Sequence, residues 1–456
     1  MAIIHHEHES WSSRVTFLLA AIGAAVGLGN IWKFPYIAGQ NGGGAFVLVY
    51  LLAVFLVALP ILIAEIALGR WGRQSPPNAM ANVASDQGRS KMWTLIGWLG
   101  MLAAYMIGTY YSVIAGWTVV YILKNARGDF LGQDAASVGS QFEALLADPW
   151  QLTLWLMVFM AFATFILMRG VQKGIESAVK VLMPALFTLL LAMVGYGIVE
   201  GNMGRTLSFM FDFDLSAIDG GVILVAVGQA FFSIGVAMGL MMGFGAYLPR
   251  DVSIGRSAVI IASADTVVAL VAGLAIFPIV FANGLDPAQG PGLVFVSLPI
   301  AFGSVTGGLI FGTLFFVLLF FAALTSVIAV LEPMIAWWQE RFGLRRPIAA
   351  LYVCLSLMVL ALGPVFSFNM WSQWRPLAAF ERFAEFGYFE ILDYLTANLM
   401  MPICGLLIAV FVGWRIKPEA VAAELQIKNP VLFKAWFWLL RWVAPVSIAL
   451  ILYSVL

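Results

Sequence analysis

The sequence predicts an all-α membrane protein with about 11 transmembrane helices. Of its 456 residues 62% are hydrophobic and only 11% are charged, whereas soluble domains carry roughly 25% charged residues. The mean hydropathy is +0.96, and apolar runs recur along the chain, each close to the ~20 residues that cross a bilayer. The predicted spans cover residues 14–39, 44–69, 92–123, 151–168, 175–199, 221–248, 254–282, 306–339, 347–366, 388–413 and 432–455.

The basic residues are distributed unevenly between the two sides of this bundle. With a cytoplasmic N-terminus, the outer loops hold only Lys124, Arg127, Arg205, Arg375 and Arg382. Because cytoplasmic loops carry the excess of Lys and Arg, we expect the N-terminus inside and, after an odd number of spans, the C-terminus outside. The opening residues, MAIIHHEHES, lack the basic region and cleavage site of a secretory signal. We therefore expect a multi-pass protein of the inner (plasma) membrane that keeps its first span.

The composition argues against several classes of function. A net charge of zero disfavours a nucleic-acid-binding face. The expected partners are the bilayer and a small molecule, and no obligatory protein partner is expected. The histidines, His5, His6 and His8, lie together at the N-terminus, and no Cys/His or paired-carboxylate cluster has catalytic spacing, so no enzyme is predicted. Cys354 and Cys404 both fall inside predicted spans and imply no disulfide framework.

Two spans contain residues that break helices. The first carries GAAVGLGNIWKFPY (23–36) and the sixth carries FFSIGVAMGLMMGFGAYLP (231–249), and an intact spanning helix would lose stability at each glycine, asparagine or proline. For one such helix alone, close packing of the GxxxG kind is the alternative. A pair five spans apart predicts an inverted-repeat transporter with its site at mid-depth. We expect one domain, 1–456, with repeats at about 14–199 and 221–413 and an extra helix at about 432–455.

Breaking a helix inside a bilayer frees backbone groups that must find partners. Freed carbonyls can coordinate a cation, and the amides at a half-helix N-terminus attract a carboxylate. Polar side chains within spans are candidates for the same site because each is costly in hydrocarbon. For Lys33 and Asp393 a structural ion pair is the alternative, and for Glu332 it is pairing with a cytoplasmic arginine. The candidates are Lys33, Glu65, Ser233, Asp265, Thr325, Ser326, Glu332 and Asp393.

Short motifs along the chain resemble those of the neurotransmitter:sodium symporter family. They are GAAVGLGNIWKFPY, then NGGGAF (41–46), GRWG (69–72), GQAFFS (228–233) and FAALTS (321–326). The sequence is especially similar to prokaryotic amino-acid transporters with the leucine-transporter fold, from Trp11 to the last span. The resemblance implies secondary active uptake of a small amino acid or amine, driven by sodium.

The resemblance also implies two sodium sites made of oxygen ligands, which suit a hard monovalent cation. The first falls on Ala25, Asn30, Ser233 and Asp265, and the second on Gly23, Val26, Ala322, Thr325 and Ser326. The substrate site falls on Ala24, Ala25, Gly27, Leu28, Gly29, Ile107, Tyr111, Phe232, Ser233, Gly235, Met238, Ser326 and Val330.

The same resemblance places an outer gate above the substrate. Tyr111 and Phe232 form its lid, and Lys33 and Asp393 are the charged pair above it. The family usually has arginine where this chain has Lys33, which cannot form a bidentate fork with a carboxylate. We therefore expect a weaker or water-bridged outer gate.

The inner gate falls on His8, Trp11, Tyr247 and Glu340, with Glu65 supporting the site. His8 stands where the family usually has arginine, and since histidine titrates near neutral pH we expect the closure by His8 and Glu340 to be pH-sensitive. The alternative is that His8 is a disordered tail residue. Gly174 and Pro184 resemble the place where the fifth span of the family unwinds.

Asp265 bears on the ions that accompany transport. The family often has asparagine here, and Ala269 one turn later is neither acidic nor serine. A carboxylate beside sodium supplies fixed negative charge, so we expect no chloride requirement and a proton on Asp265 when sodium leaves.

The substrate pocket is apolar and roomy at Ala24 and Gly235, and Met238 is adaptable. We expect neutral hydrophobic or aromatic L-amino acids, because no pocket charge would pair with a charged side chain. A sensor that binds amino acids with sodium but does not transport them is the alternative function.

Overall fold

The computed structural model describes residues 10–288 and 292–455. Within them nine helices are long and apolar enough to cross a membrane, and a bent pair, Arg14–Ala25 and Gly29–Gln40, makes a tenth span. One more span, the sixth, is divided into Gly220–Ile234 and Leu240–Ala246. The predicted fold class, all-α with about 11 spans and breaks in the first and sixth, is confirmed. The nine unbroken spans are Gly44–Gly72, Lys91–Arg127, Pro149–Leu167, Val171–Glu200, Ile254–Ala282, Gly308–Phe342, Arg346–Ser367, Tyr388–Arg415 and Pro430–Ser454.

The first span begins with a capping box and breaks at mid-depth. The Ser13 hydroxyl accepts a hydrogen bond from the Thr16 amide at 3.2 Å, which satisfies an amide that has no partner within the helix. After Ala25 the backbone becomes extended at Val26 (ψ 102°), and the two half-helices meet at 47°. The freed amide of Gly27 donates to Asn30 Oδ1 at 3.1 Å, so the break is stabilised from within the motif.

The break in the sixth span uses left-handed backbone conformations. Gly235, Ala237 and Gly239 have φ angles of +69°, +64° and +72°, and the alanine is strained because its Cβ disfavours this region. The Ala237 amide donates to Glu65 Oε2 of the second span at 2.7 Å. Glu65, fully buried, therefore stabilises the break by accepting a hydrogen bond from its backbone.

Short helices close the connections between spans. Pro76–Asp86 and Pro418–Leu425 lie on the predicted cytoplasmic side. Ala135–Ala147, Met203–Phe211 and Leu293–Ser304 lie on the predicted outer side.

The NGGGAF motif allows one of these outer helices to pack closely on the start of the second span. Gly43 has φ +56°, and a Cβ on it would lie 2.9 Å from the Phe209 ring. A Cβ on Gly44 would lie 3.0 Å from the carbonyl carbon of Asp212. These glycines are needed because any side chain there would displace the backbone of the outer helix.

The fifth span differs from the expectation of an unwound segment between Gly174 and Pro184. It is helical throughout Val171–Glu200, with a π-helical turn at Val171–Glu176. Pro184 lies inside the helix that follows. The π-helical turn, which contains Gly174, is wider than an α-helical turn. The helix stays continuous through it in this conformation.

Candidate functional site

Three side chains predicted for the first sodium site meet where the two broken spans approach each other. Asp265 Oδ2 accepts a hydrogen bond from Ser233 Oγ at 2.7 Å, and Asp265 Oδ1 accepts one from Asn30 Nδ2 at 2.7 Å. Asn30 Nδ2 also donates to Ser233 Oγ at 2.9 Å. All three residues are buried. Ala25, the fourth residue of this prediction, is the last residue of the first half-helix.

Two polar groups beside this cluster were missed from the sequence. The Tyr50 hydroxyl lies 3.1 Å from Ser233 Oγ and 3.5 Å from Asp265 Oδ2. A tyrosine in an apolar span is otherwise typical of an interfacial anchor, and nothing in the sequence distinguishes Tyr50 from one. Gln229 Nε2 donates to the Gly29 carbonyl at 3.0 Å and so joins the sixth span to the break of the first. Gln229 is a polar residue within a predicted span, in the GQAFFS motif, and could therefore have been predicted to belong to the site.

The residues predicted for the second sodium site also lie together. A Cβ on Gly23 would lie 3.3 Å from Thr325 Cβ, so the two residues face each other. Ser326 Oγ is 3.5 Å from the Val26 carbonyl oxygen, and Thr325 Oγ1 donates to the Ala322 carbonyl at 3.1 Å. Backbone oxygens of the first span therefore lie beside two hydroxyls of the eighth span, Gly308–Phe342.

Backbone amides of the first break lie beside the third and sixth spans. The Leu28 amide donates to the Tyr111 hydroxyl oxygen at 2.9 Å, and a Cβ on Gly27 would lie 2.6 Å from that oxygen. A Cβ on Gly29 would lie 3.3 Å from the Phe232 ring. The structure thus brings the predicted carboxylate-binding backbone next to the predicted lid.

The apolar residues predicted around the substrate side chain are buried on several helices. Ser326 Oγ donates to the Ala24 carbonyl at 3.4 Å, which joins the first and eighth spans. Met238 lies in the break of the sixth span against the third, where a Cβ on Gly100 would be 3.1 Å from the Met238 carbonyl carbon. Gly235 is at the same break. Ile107 and Val330 are 2% and 8% exposed.

A cavity of about 340 Å³ lies on the predicted outer side of this region. All four residues of the predicted outer gate, Lys33, Tyr111, Phe232 and Asp393, line it. The two lid residues therefore lie between the buried cluster and a space large enough for a small solute.

Lys33 and Asp393, for which a weaker or water-bridged gate was expected, form no direct ion pair in this conformation. Lys33 Nζ lies 3.9 Å from the centroid of the Phe232 ring, and Asp393 Oδ1 accepts a hydrogen bond from the Tyr110 hydroxyl at 3.0 Å. No ion pair within 4.0 Å joins Lys33 to Asp393. The Lys33 ammonium contacts the face of the Phe232 ring, and the Asp393 carboxylate accepts a hydrogen bond from Tyr110. Both charged groups therefore have a favourable contact without a direct ion pair between them.

Trp11 closes the predicted cytoplasmic side beneath the site. It is 2% exposed, its Nε1 donates to the Phe244 carbonyl at 3.0 Å, and its backbone amide donates to the Tyr247 carbonyl at 3.2 Å. Glu340 accepts hydrogen bonds from the Ser75 amide and from Asn78 Nδ2, each at 2.7 Å, and lines a small cavity together with Tyr247. His8 lies outside the described residues, so its predicted contact with Glu340 stays a prediction.

The closure also uses a contact that the sequence did not indicate. Ser12 donates to the two carboxylate oxygens of Glu176, from its amide at 2.7 Å and from its hydroxyl at 2.5 Å. Glu176 is 1% exposed. Two hydrogen bonds therefore join the segment before the first span to the π-helical turn of the fifth span.

Glu332 forms the ion pair that was the alternative to a functional role. It is fully buried, and Arg346 donates to both of its oxygens, with Nη1 to Oε1 at 2.7 Å. The Tyr247 hydroxyl also donates to Oε1 at 3.0 Å. The pairing with an arginine, which was the alternative, is what the structure has, on the predicted cytoplasmic side.

Two broken spans with a buried polar cluster between them, in a bundle of helices that span the membrane, define a secondary transporter of the inverted-repeat class. The chain belongs to the sodium:neurotransmitter symporter family, whose family model matches residues 8–130 and 124–456. This is a family of transporters, so the prediction that the protein is not an enzyme is confirmed, as is the resemblance seen in the motifs.

Relatives and a solved structure agree with this assignment. The uncharacterized sodium-dependent transporter YhdH of Bacillus subtilis (strain 168) is 35% identical over 444 residues, 97% of this chain and 96% of that protein. An uncharacterized sodium-dependent transporter of Haemophilus influenzae is 32% identical over 461 residues, 100% of this chain and 99% of that protein. The crystal structure of MhsT in complex with L-phenylalanine matches with a TM-score of 0.89 and 37% identity, over 98% of this chain and 100% of that chain. The protein is a sodium-dependent, multi-pass membrane transporter.

Proposed function

We propose that this protein is a sodium-coupled symporter that imports neutral hydrophobic or aromatic L-amino acids by alternating access, without a need for chloride. The observation that carries the proposal is the buried cluster of Asn30, Ser233 and Asp265 between the two broken spans. It combines a carboxylate, a hydroxyl and an amide next to backbone groups that a continuous helix would have used. Such hard oxygens suit sodium.

A sodium ion at the first site would be held by the Asp265 carboxylate and by oxygens of Asn30, Ser233 and Ala25. In the present arrangement Asn30 Nδ2 donates a hydrogen bond to the carboxylate at 2.7 Å. When sodium takes over that role, turning the amide about its terminal torsion presents the Asn30 oxygen instead. The carboxylate has a partner in both states, which avoids a buried unpaired charge.

A second sodium ion would bind below, between the first and eighth spans. The Val26 and Gly23 carbonyls and the hydroxyls of Thr325 and Ser326 supply its oxygens, with the Ala322 carbonyl. The support for this site is that these residues face one another although some 300 residues separate them. No carboxylate is present among them, so the ion binds through neutral oxygens alone.

The substrate carboxylate would meet the backbone of Gly27, Leu28 and Gly29 and the Tyr111 hydroxyl, at the start of the second half-helix. The positive end of that helix favours an anion. The Tyr111 oxygen accepts the Leu28 amide at 2.9 Å, which leaves its hydroxyl hydrogen to donate to the carboxylate. A ligand that lacks a carboxylate would forgo all of these interactions, so amines are poor candidates.

The substrate side chain would lie among Ile107, Met238 and Val330, which are buried and uncharged. A charged side chain would have no partner of opposite charge there. The free energy needed to remove it from water would exceed the free energy gained by packing it. That MhsT, 37% identical, was crystallised with L-phenylalanine supports an aromatic or similarly apolar ligand for this chain.

Binding measurements test the substrate class. We expect labelled L-phenylalanine to bind the purified protein in sodium and not in potassium. Unlabelled leucine, tryptophan and tyrosine should compete, while lysine and glutamate should not. Competition by lysine or glutamate as strong as by leucine would contradict the assignment to neutral substrates.

Substituting Gly27 tests whether the substrate touches the backbone of the first break. In Gly27→Ala the new methyl group would lie 2.6 Å from the Tyr111 oxygen, so we expect L-phenylalanine affinity to fall at least about tenfold through loss of the hydrogen bonds there. Gly195→Ala is the matched control, because a Cβ at Gly195 meets nothing within 4 Å. Equal affinities in the two variants would mean that the carboxylate binds elsewhere.

Chloride replacement tests the charge role assigned to Asp265. With gluconate in place of chloride, sodium-driven uptake into proteoliposomes should stay within about twofold, because the carboxylate already balances the cation. A loss of uptake that returns with chloride would show that this balance comes from a chloride ion.

A further inference from the structure

An arginine lies near the middle of the helix Pro430–Ser454, the eleventh span, where this helix packs beside the end of the tenth. The stem of Arg441 packs on the tenth span, where a Cβ on Gly413 would lie 3.4 Å from Arg441 Cα and 3.5 Å from its Cβ. Arg441 Nε is buried and has no hydrogen-bond partner within the described residues. Because Gly413 has no side chain, the aliphatic part of Arg441 can pack directly on the tenth span. The guanidinium Nε is left without a hydrogen-bond acceptor among the described residues.

Two tryptophans flank the guanidinium. The Arg441 Cζ atom lies 5.6 Å from the Trp414 ring and 5.8 Å from the Trp442 ring, and the two rings contact each other edge to face at 5.6 Å. Trp442 is 51% exposed on the outside of the bundle. Tryptophan is enriched at the depth of lipid headgroups, so this group of residues faces the boundary between headgroups and hydrocarbon.

The tenth span ends beside this group and fixes its depth. Arg89 Nε, just before the third span, donates to the Arg415 carbonyl at 2.7 Å, and the Phe411 ring contacts Trp93 at the start of that span at 4.9 Å. Residues 411–415 therefore lie at the predicted cytoplasmic surface of the membrane, and Arg441 lies beside them.

The charges around Arg441 are mostly positive. Arg415 and Lys417 follow Gly413, which contacts Arg441, and Lys434 precedes Arg441 in the same helix; all three are exposed. Of the acidic residues in the connecting helix, Glu419 is exposed and Glu424 is paired with Arg70. No acidic side chain in the described part of the chain forms an ion pair with Arg441. A cation in a span needs an anionic or polar partner, and here the protein supplies only ring faces.

We propose that Arg441, Trp414 and Trp442 bind the phosphate of an anionic phospholipid from the cytoplasmic leaflet. The planar guanidinium matches two phosphate oxygens, the indoles border the glycerol region, and the surrounding basic residues favour a headgroup with net negative charge. This site lies apart from the transport pathway and is independent of the proposed function.

Native mass spectrometry of the purified transporter tests this site. With equal amounts of phosphatidylglycerol and phosphatidylcholine, Arg441→Gln should bind phosphatidylglycerol about fivefold more weakly, the effect of one basic residue at an anionic surface. Arg441→Lys should lose less, since it keeps the charge but not the fork. Arg341→Gln removes an exposed arginine from the same predicted side and should bind as the unchanged protein does. Trp442→Leu should weaken binding with the charge intact.

Three results would overturn the proposal. Arg441→Gln could retain phosphatidylglycerol as well as the unchanged protein does. Both glutamine variants could lose it equally, which would indicate only a general surface potential. Inorganic phosphate at millimolar concentration could displace the lipid, which would indicate a site for a free anion. The melting temperature of each variant in detergent checks folding without relying on the lipid or on the proposed substrate.

Discussion

Replacing Asp265 with asparagine is expected to weaken strongly the stabilisation of the protein by sodium, leaving the part that the second sodium site provides. Asp265 is fully buried and is the only carboxylate in the proposed first sodium site. Removing one member of a buried charge pair costs about 3 kcal/mol or more, which corresponds to a loss of sodium affinity of roughly 100-fold. Because an ion that binds only the folded state raises the melting temperature, the unchanged protein should melt at higher temperature as sodium increases. Asp265→Asn should show a clearly smaller rise, the part due to the second site.

This prediction has a control in the same substitution at an exposed site. Asp214 lies in an outer connection and is exposed, so Asp214→Asn should keep the full sodium response. In sodium-free buffer Asp265→Asn should be at least as stable as the unchanged protein, because it removes a buried charge. A rise in melting temperature with sodium that is as large in Asp265→Asn as in the unchanged protein would contradict the assignment of the first site.

Arg346→Ala is expected to cause the largest loss of stability among single substitutions away from the substrate. It would leave Glu332 buried without its cation, which costs about 3 to 5 kcal/mol when one partner of a buried pair is removed. It would also remove the hydrogen bond from Arg346 Nε to the Leu167 carbonyl at 3.0 Å, which holds the end of the fourth span. Thermal melting of the purified protein in detergent measures the effect.

The double substitution separates charge from packing. Adding Glu332→Gln to Arg346→Ala should recover much of the loss, because no buried charge is then left unpaired. Arg345→Ala removes an exposed neighbouring arginine and should change the melting temperature little. The account of this pair is wrong if Arg346→Ala melts with the unchanged protein, or if the double variant is less stable than the single one.

The broken spans could be predicted from the sequence because their causes are local. Glycines and an asparagine at mid-depth weaken a helix whatever surrounds it, and the structure has the breaks at Val26–Leu28 and around Gly235 to Gly239. The pairing of Glu332 with an arginine was among the predicted alternatives for the same kind of reason. A charge in hydrocarbon needs a partner, and basic residues lay nearby in the sequence.

The parts that could not be predicted depend on contacts across the bundle. The Tyr50 hydroxyl is near Asp265 only because the second and seventh spans pack together. Arg70 and Glu424, which form an ion pair at 2.6 Å, are 354 residues apart. The contact of Lys33 with the Phe232 ring could not be predicted, because a long flexible side chain can reach either the Asp393 carboxylate or the ring, and residue type alone does not decide between them.

Uptake by the purified protein in proteoliposomes tests the central claim most directly. With an inward sodium gradient, labelled L-phenylalanine should accumulate inside above its outside concentration, and collapsing the gradient with a sodium ionophore should release it. A matched potassium gradient should give no accumulation. Sodium-dependent binding with no accumulation would contradict the claim of symport and would identify the protein as a sodium-dependent sensor of amino acids.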